Sequence, residues 1–431
     1  MDALISDLIH FLNAAPTAWH AVAYMRKKLE QAGFLELKED SAWKLTAGEG
    51  YFVVRDGASL CAFIAPQKAP SRLHLIGTHS DSPAFKLKPK AAYYQNNTIL
   101  LAIAPYGAPL LNSWLNRDLG IAGKVVYCDR QGLVKETLVE LDTEAVVIPQ
   151  LAIHLDRKID EQGLLLNKQD HLIAVAGITD DAASACSYLE KRLEAILPPA
   201  TLLAHDLFLY PLETARRVGA ANKLLAAARL DNLMSAHAAL HAFLSLKRND
   251  YVDAIPMVAF WNHEEIGSYS ASGAHSPFLG SLIERLALQY GQGREELFQL
   301  IARSLCLSVD LSHAIHPAYQ DRHDPQHRPL LGKGVVLKTS AQQRYAGAAP
   351  ALGAVAELCM RYGIPFQLFA PRNDLPSGST IGPIHAATTG MATVDIGIAQ
   401  LSMHACRELA CCDDQVALCQ LLRAFLSIKG T

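Results

Sequence analysis

Residues 258–268 read VAFWNHEEIGS, an apolar, strand-like run that ends in two adjacent carboxylates and a glycine. Neighbouring side chains at the end of a strand point in different directions, so Glu264 and Glu265 can take different roles. A hydrolase that uses a metal ion needs such a division, with one carboxylate to hold the ion and one to accept a proton. The pair alone is weak evidence, because most Glu-Glu pairs lie on a solvated surface.

Working outward from this stretch, the chain alternates between helical and strand patterns. Residues 1–33 show apolar spacing typical of helices, ending at Gly33, whereas 51–54, 59–64 and 73–77 are short strand-like runs. The last of these leads into His79 and Asp81 at its carboxyl end, where open α/β sheets place their ligands.

The pattern changes after residue 90, and this change predicts the domain organisation. Residues 91–175 contain many strand and turn signals and few helical ones. A variable stretch that we interpret as helix and loop follows to about 228, and helices alternate with strands again after it. We therefore predict an α/β fold with a central mixed sheet flanked by helices, formed by residues 1–90 and 229–431. A smaller, mostly β insertion at 91–228 would interrupt it.

Composition narrows the functional classes. The chain has 431 residues, 50% of them hydrophobic, and a net charge of −3 without a long charged block, so we expect neither nucleic acid nor a membrane surface as a partner. The nine cysteines form no Cys-x-x-Cys pair, which favours buried thiols in a reducing compartment. Neither a signal peptide nor a membrane-spanning run is recognisable. These features predict a cytoplasmic protein.

Other potential ligands lie where strands or helices begin or end. His79 lies two residues before Asp81, which could orient the imidazole, although a lone histidine at a strand end is more often structural. Asp231 precedes a helical run, where it could cap the helix or bridge two cations. Asp310 ends the apolar run 305–309.

His404 is predicted at the start of a helix that follows the strand-like residues 393–397. Taken together, the candidates provide two histidines and three or four carboxylates. Mixed nitrogen and oxygen ligands suit a pair of zinc, manganese or cobalt ions more than calcium or a thiolate site, and of these we expect zinc.

Several motifs, taken together, resemble the aspartyl aminopeptidases, a family of metallopeptidases with two catalytic metal ions. The resemblance covers nearly the whole chain, and each motif is unspecific by itself, whereas their common order is not. The matching stretches are 11–22, 78–83, 229–233, 263–268, 310–317, 343–346, 372–374, 378–383 and 400–404.

The resemblance implies a role for each candidate residue. Glu264 would be the general base, His313 would help to stabilise the oxyanion, and Asp81 would orient His79. Asp231 would bridge the two ions. The implied metal ligands are His79, Asp231, Glu265, Asp310 and His404.

Substrate contacts are also implied. Lys338, seven residues before Tyr345, resembles the lysine that meets an acidic substrate side chain, and Tyr345 would also bind substrate. His154, in the insertion, resembles a histidine that reaches the active site of a neighbouring subunit. We favour substrate contact for His154, with metal ligation as the alternative.

The family resemblance implies hydrolysis of N-terminal Asp or Glu from peptides by a homo-oligomer, in which dimers formed through the insertion build a tetrahedral dodecamer. One alternative is the same chemistry with a preference for neutral, leucine-like termini. A second is a non-catalytic, oligomeric peptide-binding protein, which would have no use for Glu264.

Overall fold

The computed structural model describes residues 2–428 and contains two sheets. The larger sheet has 13 strands, and its centre consists of four parallel strands in the order Ala254–Trp261, Arg72–His79, Leu305–Val309 and Ala392–Leu401. The remaining strands of this sheet are Leu35–Glu36, Gly50–Arg55, Ser59–Ile64, Arg216–Val218, Leu224–Ala227, Ser312–His313, Val335–Lys338, Phe366–Phe369 and Glu408–Cys411.

Helices cover both faces of this sheet, because its central strands are apolar on both sides. Val258 and Phe260 pack into one core, and Met257, Ala259 and Trp261 pack into the other. The helices of this part of the chain are Asp2–Ala14, Ala18–Gln31, Leu230–Leu244, Phe278–Gln289, Arg294–Ala302, Ala349–Arg361, Ile381–Thr389 and Cys412–Leu426. The predicted central mixed sheet with flanking helices is confirmed.

The second sheet has six strands, and all its pairings are antiparallel. In spatial order its strands are Val134–Val146, Leu119–Asp129, Ala200–Pro211, Ala84–Gln95, Thr98–Tyr106 and Ile173–Ile178. Short helices accompany it at Ile159–Gln162, Ala182–Cys186 and Tyr188–Glu194. Its apolar side forms a separate core around Phe85, Trp114 and Leu207.

The strand pairing bears on the bounds of the insertion. The strand Ala84–Gln95 already belongs to the second sheet, while Leu224–Ala227 pairs with Glu408–Cys411 of the larger one. We keep residues 91–228 as the proposed bounds of the insertion. Bounds that follow the strands of the second sheet would be 84 and 211. The strand Ala200–Pro211 lies in a region whose sequence we interpreted as helix and loop, and that interpretation is wrong for these residues.

The parallel strands bring their carboxyl ends to one edge. Trp261 is paired with His79, and Val309 with Ile396, so the residues that follow these strands meet there. Gly397 is required at this edge, because a Cβ at that position would collide with the carbonyl oxygen of Asp310. The sheet thus delivers several of the predicted site residues to one place.

Candidate metal centre

At this edge, His79 and His404 lie on either side of Asp231. The Nε2 atom of His79 is 3.6 Å from Oδ1 of Asp231, and the Nε2 atom of His404 is 3.3 Å from its Oδ2. The two oxygens of one carboxylate therefore face different histidines. Asp231 itself lies in the first turn of the helix Leu230–Leu244, where its backbone is not helical.

Each histidine has a further carboxylate beside it. Oδ1 of Asp310 is 3.5 Å from Nε2 of His79, and Oε2 of Glu265 is 3.4 Å from Nε2 of His404. Donor atoms within 4.8 Å of one another form three groups. These are His79 with Asp231 and Asp310, Asp231 with Glu265 and His404, and His79 with Glu264 and Glu265.

The carboxylates of this cluster are poorly satisfied by the protein itself. Among residues 2–428, Oδ1 of Asp231, Oδ1 of Asp310 and Oε1 of Glu265 are buried without a hydrogen-bond donor. Buried polar atoms nearly always have a partner, so these oxygens are suited to a cation. Because the donors are imidazole nitrogens and carboxylate oxygens without a thiolate, they fit zinc in a catalytic type of site.

The electrostatics show an excess of negative charge. Burial raises the pKa of Glu264 to about 8, and the charge of Asp310 acts in the same direction. Burial and the charge of Asp231 raise the pKa of Glu265 well above 4.5. Burial lowers the pKa of His79, but the charges of Glu264 and Asp310 outweigh it and raise this pKa well above 6.5. Bound cations would relieve this repulsion.

Comparison with known proteins decides the family. The sequence model of the aminopeptidase I zinc metalloprotease (M18) family matches residues 11–426. The chain belongs to this family. Like its relatives, this M18 protein is a metallo-aminopeptidase, and the expected kinship with the aspartyl aminopeptidases is confirmed at the level of the family.

The similarity extends over whole chains. A probable M18 family aminopeptidase 2 of Streptomyces avermitilis is 41% identical over 425 residues, covering 97% of this chain and 96% of the relative. A chain in the cryo-EM structure of the Ape4 and Nbr1 complex is 32% identical with a TM-score of 0.93, over 99% and 86% of the two chains. The S. cerevisiae mApe1 dodecamer gives 28% identity and a TM-score of 0.82, over 97% and 95%.

In this M18 aminopeptidase, Asp81 holds the glutamate pair as well as His79. Its Oδ1 and Oδ2 accept the backbone N–H groups of Glu264 and Glu265, both at 3.2 Å, and the Tyr106 hydroxyl donates to Oδ2 at 2.7 Å. Nδ1 of His79 lies 3.1 Å from the Asp81 backbone carbonyl and 3.4 Å from the carboxylate. Asp81 therefore lies beside His79, as a residue that orients the imidazole would, and its shorter contact is through the backbone carbonyl.

His404 does not begin a helix, so that prediction is wrong. It lies in the turn between the strands Ala392–Leu401 and Glu408–Cys411, with a φ of 65°. Its Nδ1 is 3.1 Å from the carbonyl oxygen of Ala108, in the loop that follows Thr98–Tyr106. If Nδ1 carries the proton, this contact leaves Nε2 free to act as a ligand.

Glu408 is a site residue that the sequence analysis missed. Its buried carboxylate accepts the backbone N–H groups of Asp231 at 3.1 Å and of His404 at 2.7 Å, and so fixes two metal-ligand candidates at once. Burial and the charge of Asp231 raise its pKa to about 8. Its only sequence signal is a carboxylate at the start of an apolar strand.

The cluster opens into a cleft that also contains the predicted substrate contacts. His313, Lys338 and Tyr345 all line this cleft. Lys338 is only 1% exposed, and its ammonium donates to the carbonyl of Leu311 at 2.8 Å and lies 5.3 Å from the centre of the Tyr345 ring. Desolvation and the charge of Lys338 hold the pKa of His313 below 6.5.

His154 is the one predicted site residue that the fold keeps apart. It is exposed in the loop before Ile159–Gln162, it does not line the cleft, and it belongs to none of the donor groups found among residues 2–428. Leu151, Ile153 and Leu155 beside it are 58%, 48% and 75% exposed. This loop is apolar and uncovered in the single chain.

Proposed function

We propose that this metallo-aminopeptidase hydrolyses Asp or Glu from the N-terminus of peptides, using two divalent ions. The observation that carries the proposal is an ammonium, Lys338, buried in the cleft beside the donor cluster. An ammonium has three N–H donors, and the Leu311 carbonyl takes one. A substrate carboxylate would satisfy the others and offset the cost of burying the charge.

The donor groups support a set of metal ligands. His79, Asp231 and Asp310 would hold one ion, and Asp231, Glu265 and His404 would hold the other, so that Asp231 is shared. Bound zinc supplies Lewis-acid chemistry, which polarises a carbonyl and makes a water molecule more acidic. Zinc is the metal that we propose at both positions, with manganese or cobalt as the alternatives.

Glu264 is the general base in this scheme. Both glutamates line the cleft, but the side chain of Glu264 is 14% exposed and that of Glu265 is 5% exposed, so Glu264 is the more accessible of the two. It takes a proton from the attacking water and returns it to the amine of the leaving peptide. His313, whose low pKa favours the neutral ring, donates a hydrogen bond to the carbonyl oxygen as charge develops there.

A neutral N-terminal preference is the second candidate. It is favoured by the apolar side chains of Phe369, Ile384 and Met403 in the cleft and by the existing contact of Lys338 with Leu311. In that case Lys338 would only adjust the charge of Asp310, whose pKa it lowers. A peptide-binding protein without catalysis would not require Glu264 in the cleft.

We also propose a homo-oligomer. The S. cerevisiae relative is a dodecamer, and the exposed Leu151, Ile153 and Leu155 give this chain an apolar surface beside His154. Contact through this loop would bring His154 to a neighbouring subunit, where it would touch substrate rather than metal. A tetrahedral dodecamer built from dimers is the corresponding assembly.

Location in the cell stays a prediction. Among residues 2–428, no helix is both long and apolar enough to cross a membrane. All nine cysteines are free, which suits the cytoplasm.

The test is hydrolysis of Asp-, Glu- and Leu-p-nitroanilide before chelation, after it and after zinc is restored. We expect metal-dependent cleavage of the acidic substrates and its loss in Glu264→Gln, with Glu284→Gln as an exposed control. Lys338→Met should raise KM for the Asp and Glu substrates only. Lys333→Met, the control at an exposed lysine, should leave KM unchanged for all three substrates. Leucine cleavage alone would support the second candidate, and no cleavage with metal bound would support the binding protein.

A further inference from the structure

Arg344 has a free guanidinium on the wall of the catalytic cleft. The residue lines the same cleft as the donor cluster, and it is exposed. Its backbone N–H donates to Oγ of Ser340 at 3.3 Å. Within residues 2–428 its guanidinium forms neither a hydrogen bond nor an ion pair.

The neighbouring cations are not available to the leaving side of the substrate. Lys338 is buried and bonded to the Leu311 carbonyl, and under the proposed function its remaining N–H donors meet the N-terminal side chain. Arg372, in the adjoining cavity, pairs with Asp374 at 2.6 Å and donates to the Asp321 carbonyl at 2.7 Å. Arg344 is therefore the arginine of this wall that remains available to a solute.

Its position identifies the part of the substrate that it can meet. If the N-terminal residue lies at the buried donor cluster and Lys338, as the proposed function requires, the rest of the peptide has to leave through the open side of the cleft. Arg344 adjoins that side, next to Tyr345. Tyr345 and Phe369 line both this cleft and the adjoining cavity, so the two spaces meet beside Tyr345, the residue that follows Arg344.

We propose that Arg344 binds a carboxylate on the leaving side of the peptide. A guanidinium matches a carboxylate with two parallel hydrogen bonds, which gives selectivity as well as affinity. The carboxylate is either the C-terminus of a short peptide or an acidic side chain next to the scissile bond. Arg344 would then give the enzyme a preference for short or acidic peptides, whereas Lys338 would select the N-terminal side chain.

The experiment measures release of the first residue from Asp-Ala-Ala, Asp-Ala-Ala-amide, Asp-Glu-Ala-amide and Asp-Gln-Ala-amide by the zinc-loaded full-length enzyme. Arg344→Gln should raise KM about tenfold for substrates with a leaving-side carboxylate and leave kcat unchanged. Asp-Ala-Ala-amide and Asp-Gln-Ala-amide should be unaffected. Because the guanidinium is exposed, the effect should shrink with added salt.

The four peptides distinguish the two possible sources of the carboxylate. Loss of the difference between Asp-Ala-Ala and its amide would identify the C-terminus, and loss of the difference between the Glu and Gln peptides would identify the side chain. Equal effects on all four peptides, or none on any, would overturn the proposal. Arg344→Lys should retain part of the preference, and the exposed Arg303→Gln, outside the cleft, should retain all of it.

This inference rests on the proposed peptidase function but can fail separately from it. If the enzyme prefers neutral termini, the same comparison is made with Leu-Ala-Ala and Leu-Ala-Ala-amide. A leaving-side preference that depends on Arg344 in that series would uphold the inference while the acidic N-terminal preference falls.

Discussion

The carboxyl edge of the large sheet and the loop around His154 differ in what completes them. At the sheet edge, carboxylates and histidines from distant parts of the chain form groups of three whose donor atoms lie within 4.8 Å of one another, and hydrogen bonds to the backbone hold Asp231 and Glu264 there. Around His154, apolar side chains point outward without cover in the single chain. The first region is formed by one chain and is suited to binding ions. The second exposes apolar side chains and is suited to contact with another protein surface.

Asp231→Asn should disrupt the sheet edge more than any other substitution considered, because both donor groups that would hold ions include this carboxylate. We expect zinc to be lost from both positions and kcat to fall at least about 10³-fold, since a bound metal supplies several kcal/mol. Metal analysis alongside kinetics checks this. The exposed Asp160→Asn is the control, and retention of two zinc ions in Asp231→Asn would contradict the shared ligand.

The buried His74 tests how the interior of the large sheet makes stability depend on pH. It lies in the strand that ends at His79, and burial lowers its pKa from 6.5 to about 4. The unfolded chain therefore binds the proton more tightly, so its contribution to stability is complete above pH 6.5 and is lost as the pH falls toward 4. Between these limits we expect a loss on the order of 2–3 kcal/mol.

Urea unfolding of wild type and His74→Phe between pH 4 and 7 measures this difference. The variant should lack the part of the pH dependence that His74 causes, whereas the exposed His10→Phe should retain it. Identical pH profiles for wild type and His74→Phe would mean that His74 is not held neutral.

Glu408→Gln tests the support behind the ligands. A glutamine side chain has one acceptor oxygen, so its amide group would face one of the two backbone N–H groups that Glu408 now accepts. Displacement of Asp231 or His404 should weaken zinc affinity about 10–100-fold. Competition with a chelator measures it, with the exposed Glu357→Gln as control. Unchanged affinity would show that the two backbone segments hold themselves in place.

The smallest effect is expected at the second region. Leu155→Asp puts a charge into the apolar loop, and we expect a shift toward smaller species by light scattering, with association weakened about tenfold or more. Thermal stability of the chain itself should hardly change. Leu288→Asp, at a site that is 61% exposed outside the insertion, is the matched control. If Leu155→Asp assembles like wild type, another surface joins the subunits.

The sequence allowed prediction of the sheet edge, because apolar strands end at His79 or shortly before Glu264 and Asp310, and parallel strands align their ends. It did not allow prediction of the surroundings of His404 or the role of Glu408. Both lie around a turn whose course depends on pairing between Leu401 and Leu409 and on a contact with Ala108. The complete burial of Lys338 is likewise a result of packing that no local pattern records.

The loop 106–108 has a consequence for the evolution of this architecture. Tyr106 binds Asp81, Gly107 lies so close that a Cβ would be 3.1 Å from the Glu265 Cβ, and Ala108 accepts from His404. The insertion therefore contacts the candidate metal centre of its own chain. A shortened protein without it would lose the carbonyl oxygen that Nδ1 of His404 contacts, and an exchange of insertions between relatives would have to carry these three residues along.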